Sequence, residues 1–134
     1  MTDYRLTELQ LDIMNVLWRR GEATIGEVRE ALHPERQLAH TTVATLLSRL
    51  EKKGVVGHRS EGRQYVYAPA VEAARVQRSV MSEFSELFDR LFAGDVTVAV
   101  SHLLAESDVG ADDLARVREL IERKEAELRK REDR

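Results

Sequence analysis

The sequence contains no cysteine. That excludes a disulfide framework, a thiolate metal site and a thiol-based sensor. Nor is there an apolar run near the length needed to cross a bilayer. The first residues, Met1-Thr2-Asp3-Tyr4-Arg5, lack the layout of a secretory signal. Together these absences predict a cytoplasmic protein with no direct membrane insertion. Histidine is sparse, and His33, His40, His58 and His102 follow neither H-x-x-x-H nor H-E-x-x-H spacing, so no metal site is expected. The seven glycines make no phosphate cradle, and Gly54, Gly57 and Gly62 read as turn residues. Ser48 and Ser101 lack the context of a nucleophile elbow. The expectation is a protein that is not an enzyme and takes no cofactor. Aromatic residues are only 5% of the chain, with a single tryptophan. A base-stacking surface would want more than one exposed ring, so Trp18 is read as a core anchor.

Bulk positive charge is missing too: the net charge is −3 over 134 residues. Its distribution matters more than its sum. Residues 1–68 carry ten Lys/Arg against nine Asp/Glu, and residues 69–134 carry eleven against fifteen. Between Arg49 and Arg63, however, five cations (Arg49, Lys52, Lys53, Arg59, Arg63) meet only two acids, Glu51 and Glu61. If the chain attracts phosphate, this local patch must do it.

The patch lies in the stretch HTTVATLLSRLEKKGVVGHRSEGRQYVY, His40 to Tyr67. At about 100° per residue, Val43, Leu46, Leu47 and Leu50 share one helix face, the buried one. Thr41, Thr45, Ser48 and Lys52 fall opposite, with Arg49 and Lys53 on one flank and Ala44 on the other. Glu51 lies nearer the core edge. A face of small hydroxyls and cations can enter a major groove about 12 Å wide, where Ser, Thr and Arg can contact phosphates and base edges. Lys53-Gly54 ends the helix. Two short strands, Val55–His58 and Tyr65–Tyr67, then flank a basic tip, Arg59-Ser60-Glu61-Gly62-Arg63. A helix followed by such a ribbon is the layout of a winged helix-turn-helix. The predicted DNA-contacting set is Thr41, Thr42, Thr45, Ser48, Arg49, Lys52, Arg59 and Arg63.

Two helices precede this stretch. Thr7-Glu8-Leu9-Gln10 reads as a capping box that opens a helix to about Arg20, with Leu9, Ile13, Val16 and Leu17 on one face and Gly21 at its end. Ala23-Thr24 can form a small strand. Ile25 to Leu32 is a second helix, apolar at Ile25, Val28 and Leu32, and closed by His33-Pro34. Residues 1–69 therefore read as a winged-helix domain and residues 70–134 as a helical domain. In the second, Val71 to Phe92 carries an apolar stripe containing all three phenylalanines. Gly94 ends that helix. Val96 to Leu104 is a short helix with Val96, Val100, Leu103 and Leu104 as its inner side. Asp112 and Asp113 complement the N-terminal dipole of a last helix, Ala111 to about Lys130. That helix places Leu114, Val117, Ile121 and Leu128 at near-heptad steps, with Glu119–Arg123, Glu125–Arg129 and Glu127–Arg131 as i, i+4 pairs. Three such helices have little interior to offer one another. The simplest partner is a second copy, so a homodimer is expected through Phe84, Leu87, Phe88, Leu91, Val100, Leu103, Leu114, Val117 and Ile121. The expected fold is mainly α with a small β-wing.

The runs Leu6–Gln10 leading to Ile13–Trp18, Ala39–Gly54, and Phe88–Gly94 followed by Val96–Leu104 together resemble the penicillinase-repressor family, also called the BlaI/MecI/CopY family. The resemblance covers nearly the whole chain, and its middle run is more specific than a generic helix-turn-helix. It implies an N-terminal winged helix, a C-terminal dimerisation region and repression at a near-palindromic operator on double-stranded DNA. It also implies induction through a membrane sensor and proteolytic cutting of the repressor. Two departures matter. The copper-responsive branch carries a C-terminal Cys-x-Cys motif, which a chain without cysteine cannot supply. In the antibiotic-responsive branch the cut falls at an Asn-Phe bond, which an ungapped alignment sets at Ser101-His102 here, where both residue types differ. Two other readings are an effector-responsive regulator of the PadR type, favoured by an effector pocket in the dimer region, and a winged helix that binds protein instead of DNA. DNA binding would weaken steeply with salt.

Overall fold

The computed structural model describes residues 4–134; Met1, Thr2 and Asp3, part of the stretch read above for a secretory signal, lie outside the described residues. The described chain falls into two compact units, one ending at Ser85 and the other spanning Glu86–Arg134.

The first unit begins with α1 (Glu8–Arg20), β1 (Ala23–Thr24), α2 (Ile25–Leu32) and α3 (His40–Lys52), followed by β2 (Val56–Glu61) and β3 (Gln64–Pro69). The capping box of α1 is complete: the Gln10 amide donates to Thr7 Oγ1 at 3.1 Å, and the Thr7 amide donates to Gln10 Oε1 at 3.0 Å. A second one opens α2, through Thr24 and Glu27. Thr24 N–H and its hydroxyl hold the Glu27 carboxyl below its ordinary value. Gly21 ends α1 at φ +86°, a conformation other residues rarely adopt.

The three strands form one antiparallel sheet in the order β1-β3-β2. Ala23 faces Tyr67 across the β1–β3 pair, and the β2–β3 register runs from Val56–Pro69 to Glu61–Gln64. The core lies between the helices and the base of the sheet. Ile13, Met14 and Leu17 of α1, Val28 of α2, Val43, Leu47 and Leu50 of α3, and Val55 are fully buried. The predicted apolar faces of the three helices thus meet in one cluster, which Leu46 joins from its edge, while Leu9 is only partly buried.

The next helix, α4 (Ala73–Phe92), starts in this unit. Val76 is buried, and Val71 and Val80 pack against the same core. Trp18 is half-buried against that core and donates from Nε1 to the Val71 carbonyl at 3.0 Å, as an anchor does. Trp18→Phe removes that bond together with the five-membered ring that carries it. It is expected to cost about 1 kcal/mol, readable as a lower urea midpoint at unchanged m-value.

The second unit holds the end of α4, then α5 (Val96–Glu106) and α6 (Ala111–Glu132). Asp95 caps α5 through the Val98 amide. At α6, the Asp113 carboxylate accepts from the Gly110 amide at 3.1 Å and pairs with Arg116. Among the described residues of this unit, Ala99 alone is buried. The inner side expected for α5 is therefore open: Val96 is 72% exposed, and Val100, Leu103 and Leu104 are exposed as well. Of the ion pairs expected along α6, Glu119–Arg123 is present at 3.8 Å, and Lys124 pairs with Glu127. No helix among the described residues is long and apolar enough to cross a membrane.

Candidate nucleic-acid interface

The rotation of α3 about its own axis is fixed from behind. Val43, Leu47 and Leu50 are fully buried, so the opposite face must point outward. Thr41, Thr42, Thr45, Ser48, Arg49 and Lys52 are all exposed on it. The helix also starts differently from α1 and α2: its N-cap is Ala39, with no side-chain cap bond, so its first amides are not claimed by a capping side chain.

The polar groups on this face are not equivalent. Thr45 Oγ1 donates to the Thr41 carbonyl at 2.9 Å. Its hydrogen is used within the helix, which leaves the oxygen lone pairs and the methyl group for an incoming partner. Among the described residues, Arg49 and Lys52 form no ion pair. Lys53 is exposed but engaged: its Nζ donates to the Arg5 carbonyl at 2.6 Å and to Gln10 Oε1 at 3.4 Å.

The wing is longer than the sequence suggests. Expected strands of four and three residues are six residues each, and the loop shrinks to Gly62-Arg63. Gly62 at φ +64° supplies the positive φ that two-residue hairpin loops need. The basic tip expected over Arg59–Arg63 is accordingly corrected, since Arg59, Ser60 and Glu61 belong to β2 and only Arg63 stands in the turn with a cation. Arg63 is exposed and has no ion pair among the described residues. Arg59 is held by two acids. Its Nη1 lies 2.6 Å from Glu22 Oε2, and its Nη2 lies 3.2 Å from Glu22 Oε1 and 3.0 Å from Glu61 Oε2. The Arg59 hydrogen bonds, and then its charge, hold the Glu22 carboxyl below the usual carboxylate range; the same contacts raise the Arg59 pKa.

A brace that local pattern does not signal joins α3 to the wing. His58 Nδ1 of β2 lies 2.5 Å from Glu51 Oε1, and the imidazole packs against Tyr65 and Tyr67 at centroid distances of 4.6 and 5.4 Å. Burial, reinforced by the Glu51 charge, pushes the Tyr67 hydroxyl pKa up. The intrahelical angle of Glu51, near the core edge, was the one available sequence clue to this contact.

The residues expected at a subunit interface are exposed. They are Phe84, Leu87, Phe88 and Leu91 on α4, Val100 and Leu103 on α5, and Leu114, Val117 and Ile121 on α6. Met81, Val98 and Leu120, which the sequence reading passed over, add to this apolar surface. Within the second unit, Phe88 and Phe92 form a tilted pair with ring centroids 5.2 Å apart, and Phe92 meets His102 at 5.9 Å. The Ser101-His102 bond lies in the middle of α5, with both residues exposed and His102 Nδ1 at 3.6 Å from Glu106. Among the described residues no group of His, Cys, Asp and Glu comes together that could hold a metal ion.

Comparison with known proteins places this architecture. The sequence profile of the family described as penicillinase repressor matches residues 6–123. The transcriptional regulator BlaI of Mycobacterium tuberculosis (strain ATCC 25618 / H37Rv) is 34% identical over 123 residues, covering 91% of this chain and 86% of that protein. The penicillinase repressor of Bacillus licheniformis is 25% identical over 118 residues, 88% of this chain and 90% of that protein. Among solved structures, the DNA-binding domain of the repressor BlaI is similar over 55% of this chain and 92% of its own, with 31% identity and a TM-score of 0.49. With 118 of its 134 residues inside the profile match and a relative at 34% identity, the chain belongs to the penicillinase repressor family, a family of transcriptional repressors.

Proposed function

We propose that this repressor acts as a homodimer on a near-palindromic operator, with α3 of each copy in the major groove and the wing beside it on the phosphate backbone. The observation that carries this reading is the outward face of α3. It presents hydroxyls and two cations without ion-pair partners among the described residues, Arg49 and Lys52, and its rotation is locked by the buried residues behind it. Thr41, Thr42, Thr45, Ser48 and Arg49 sit where base edges are within reach, while Lys52, Arg59 and Arg63 serve the backbone. Two copies related by a twofold axis set two such helices about one helical turn apart, or a multiple of it. Selection of bound fragments from genomic DNA tests the reading. An inverted repeat shared by the selected fragments is the expected result, and recovery of no shared sequence would overturn it.

Phosphate contacts have a separate signature. Lys52→Ala and Arg63→Ala are each expected to weaken binding to all duplexes alike and to flatten the slope of log K against log salt by about 0.9. An unchanged slope in both variants would remove these side chains from the interface.

Derepression by cutting within α5, at or near Ser101-His102, is the induction route we infer, driven by a membrane sensor or protease system. A protease takes its substrate extended, so α5 must open locally first. Replacing the two residues should leave operator binding intact and abolish induction; induction that persists with the chain uncut would count against this route.

A further inference from the structure

The wing carries a contact that works against DNA binding. Arg59 is the one wing cation in an ion pair among the described residues, and it is doubly paired, to Glu22 in the α1–β1 connection and to Glu61 on its own strand. All three side chains are half-exposed or more. The three groups sum to one negative charge at a place where a backbone-contacting wing wants a positive one.

We propose that Glu22 is an internal competitor for the DNA backbone, holding the Arg59 guanidinium in the free protein and yielding it to a phosphate when the wing meets a duplex. The inference rests on the DNA-binding reading above and adds a device that sets its affinity.

Three observations favour exchange over a purely structural brace. First, the wing does not need the ion pair to stay in place. Its strands are laddered from Val56–Pro69 to Glu61–Gln64, β3 is laddered to β1, and His58 is tied to Glu51 of α3. Second, Glu22 directly precedes Ala23, which is buried and paired with Tyr67, so the carboxylate is anchored at the edge of the sheet while the longer Arg59 side chain can swing once its ion pairs are exchanged. Third, the Glu22 contact is end-on and two-pronged, the geometry in which a guanidinium also grips phosphate. An exposed pair of this kind contributes little in water, whereas a duplex presents one charge per about 1.7 Å of axis and releases a counterion for each phosphate that is neutralised. Arg59 therefore gains by changing partner. The gain is smaller than that of a free arginine, because two carboxylates are left facing the duplex.

The test is a double-mutant cycle on the full chain, titrated against a mixed-sequence duplex of about 40 base pairs at low salt, where phosphate contacts carry the affinity. Glu22→Gln is expected to tighten binding about fivefold, and in an Arg59→Ala background the same change is expected to move it by less than about twofold. Arg59→Ala alone is expected to weaken binding and flatten the salt slope by about 0.9. Equal tightening in both backgrounds would show that Glu22 acts only through its charge and would overturn the proposal. Looser binding by Glu22→Gln would do the same, because it would make the ion pair a brace. A wild-type chain that binds no duplex at low salt would instead overturn the DNA-binding reading itself.

Discussion

Phe88→Asp is expected to turn a homodimer into a monomer and to weaken operator binding by about 10²- to 10⁴-fold. The size follows from connection. Two reading helices held in one dimer make the second half-site contact intramolecular, and a monomer loses that advantage without losing any contact of its own. Phe88 sits on the apolar stripe of α4 with Phe84, Leu87 and Leu91, all exposed in the single chain. Surface of this kind and extent on one chain calls for a partner. A carboxylate at its centre would be buried unpaired in the dimer, which costs several kcal/mol. The winged unit ends at Ser85, so the substitution lies outside it and binding to one half-site should survive. Sedimentation equilibrium and operator titration read the two effects. If the variant remains dimeric at micromolar concentration, or binds operator as the wild type does, the stripe is not the interface. A fragment ending at Ser85 retains Val71, Val76 and Val80 on the core and should behave as the same half-site monomer.

Thr45→Ala and Arg49→Ala are each expected to lose about 1–3 kcal/mol on operator and much less on scrambled duplex. For Arg49 the basis is an exposed guanidinium with no ion-pair partner among the described residues, able to fork onto guanine. For Thr45 the bond to the Thr41 carbonyl sharpens the expectation. With its hydrogen engaged, the hydroxyl offers lone pairs to an amino group, and the side-chain methyl suits a thymine. Thr45→Val keeps a methyl and removes the acceptor, so it separates the two contributions. Each variant is titrated on both duplexes at one salt concentration. Equal losses on both would make these residues positioning contacts, and no loss on either would mean that α3 does not read the DNA.

Most of the first unit was legible because its signals are local. The capping box at Thr7, a glycine at position 21 and apolar spacing in α3 fix helix ends and faces within a turn of chain, and α2 matched residue for residue, although its own capping box at Thr24 went unread. The wing was less so. Arg59, Ser60 and Glu61 do not look like strand, because a ribbon projecting into solvent needs no apolar face, and only the cross-strand ladder with Gln64–Val66 makes them one. The Arg59–Glu22 pair was out of reach for a related reason. Partners 37 residues apart leave no periodic trace, and the composition of Arg49–Arg63 counted Arg59 as a cation available to phosphate. Lys53, counted in the same patch, is likewise engaged, and its partner carbonyl at Arg5 lies 48 residues away. In the tail, helical faces were readable, while the inner side of α5 was not: on the single chain Ala99 is the residue that packs inward.

That near-empty interior of residues 86–134 bears on how long the protein lasts. Where α5 and α6 complete their packing only against a second copy, folding of the tail and pairing are one equilibrium, and its position depends on the number of molecules present. If pairing and cutting in α5 are as proposed above, dilution would loosen the tail and open the middle of α5, closed to a protease while helical, to cutting. Abundance would then set lifetime: a cell rich in this repressor would keep it, and one that fell below the pairing threshold would lose what remained faster still. Such a chain would clear itself abruptly once its synthesis stopped, without any separate signal to mark it for removal.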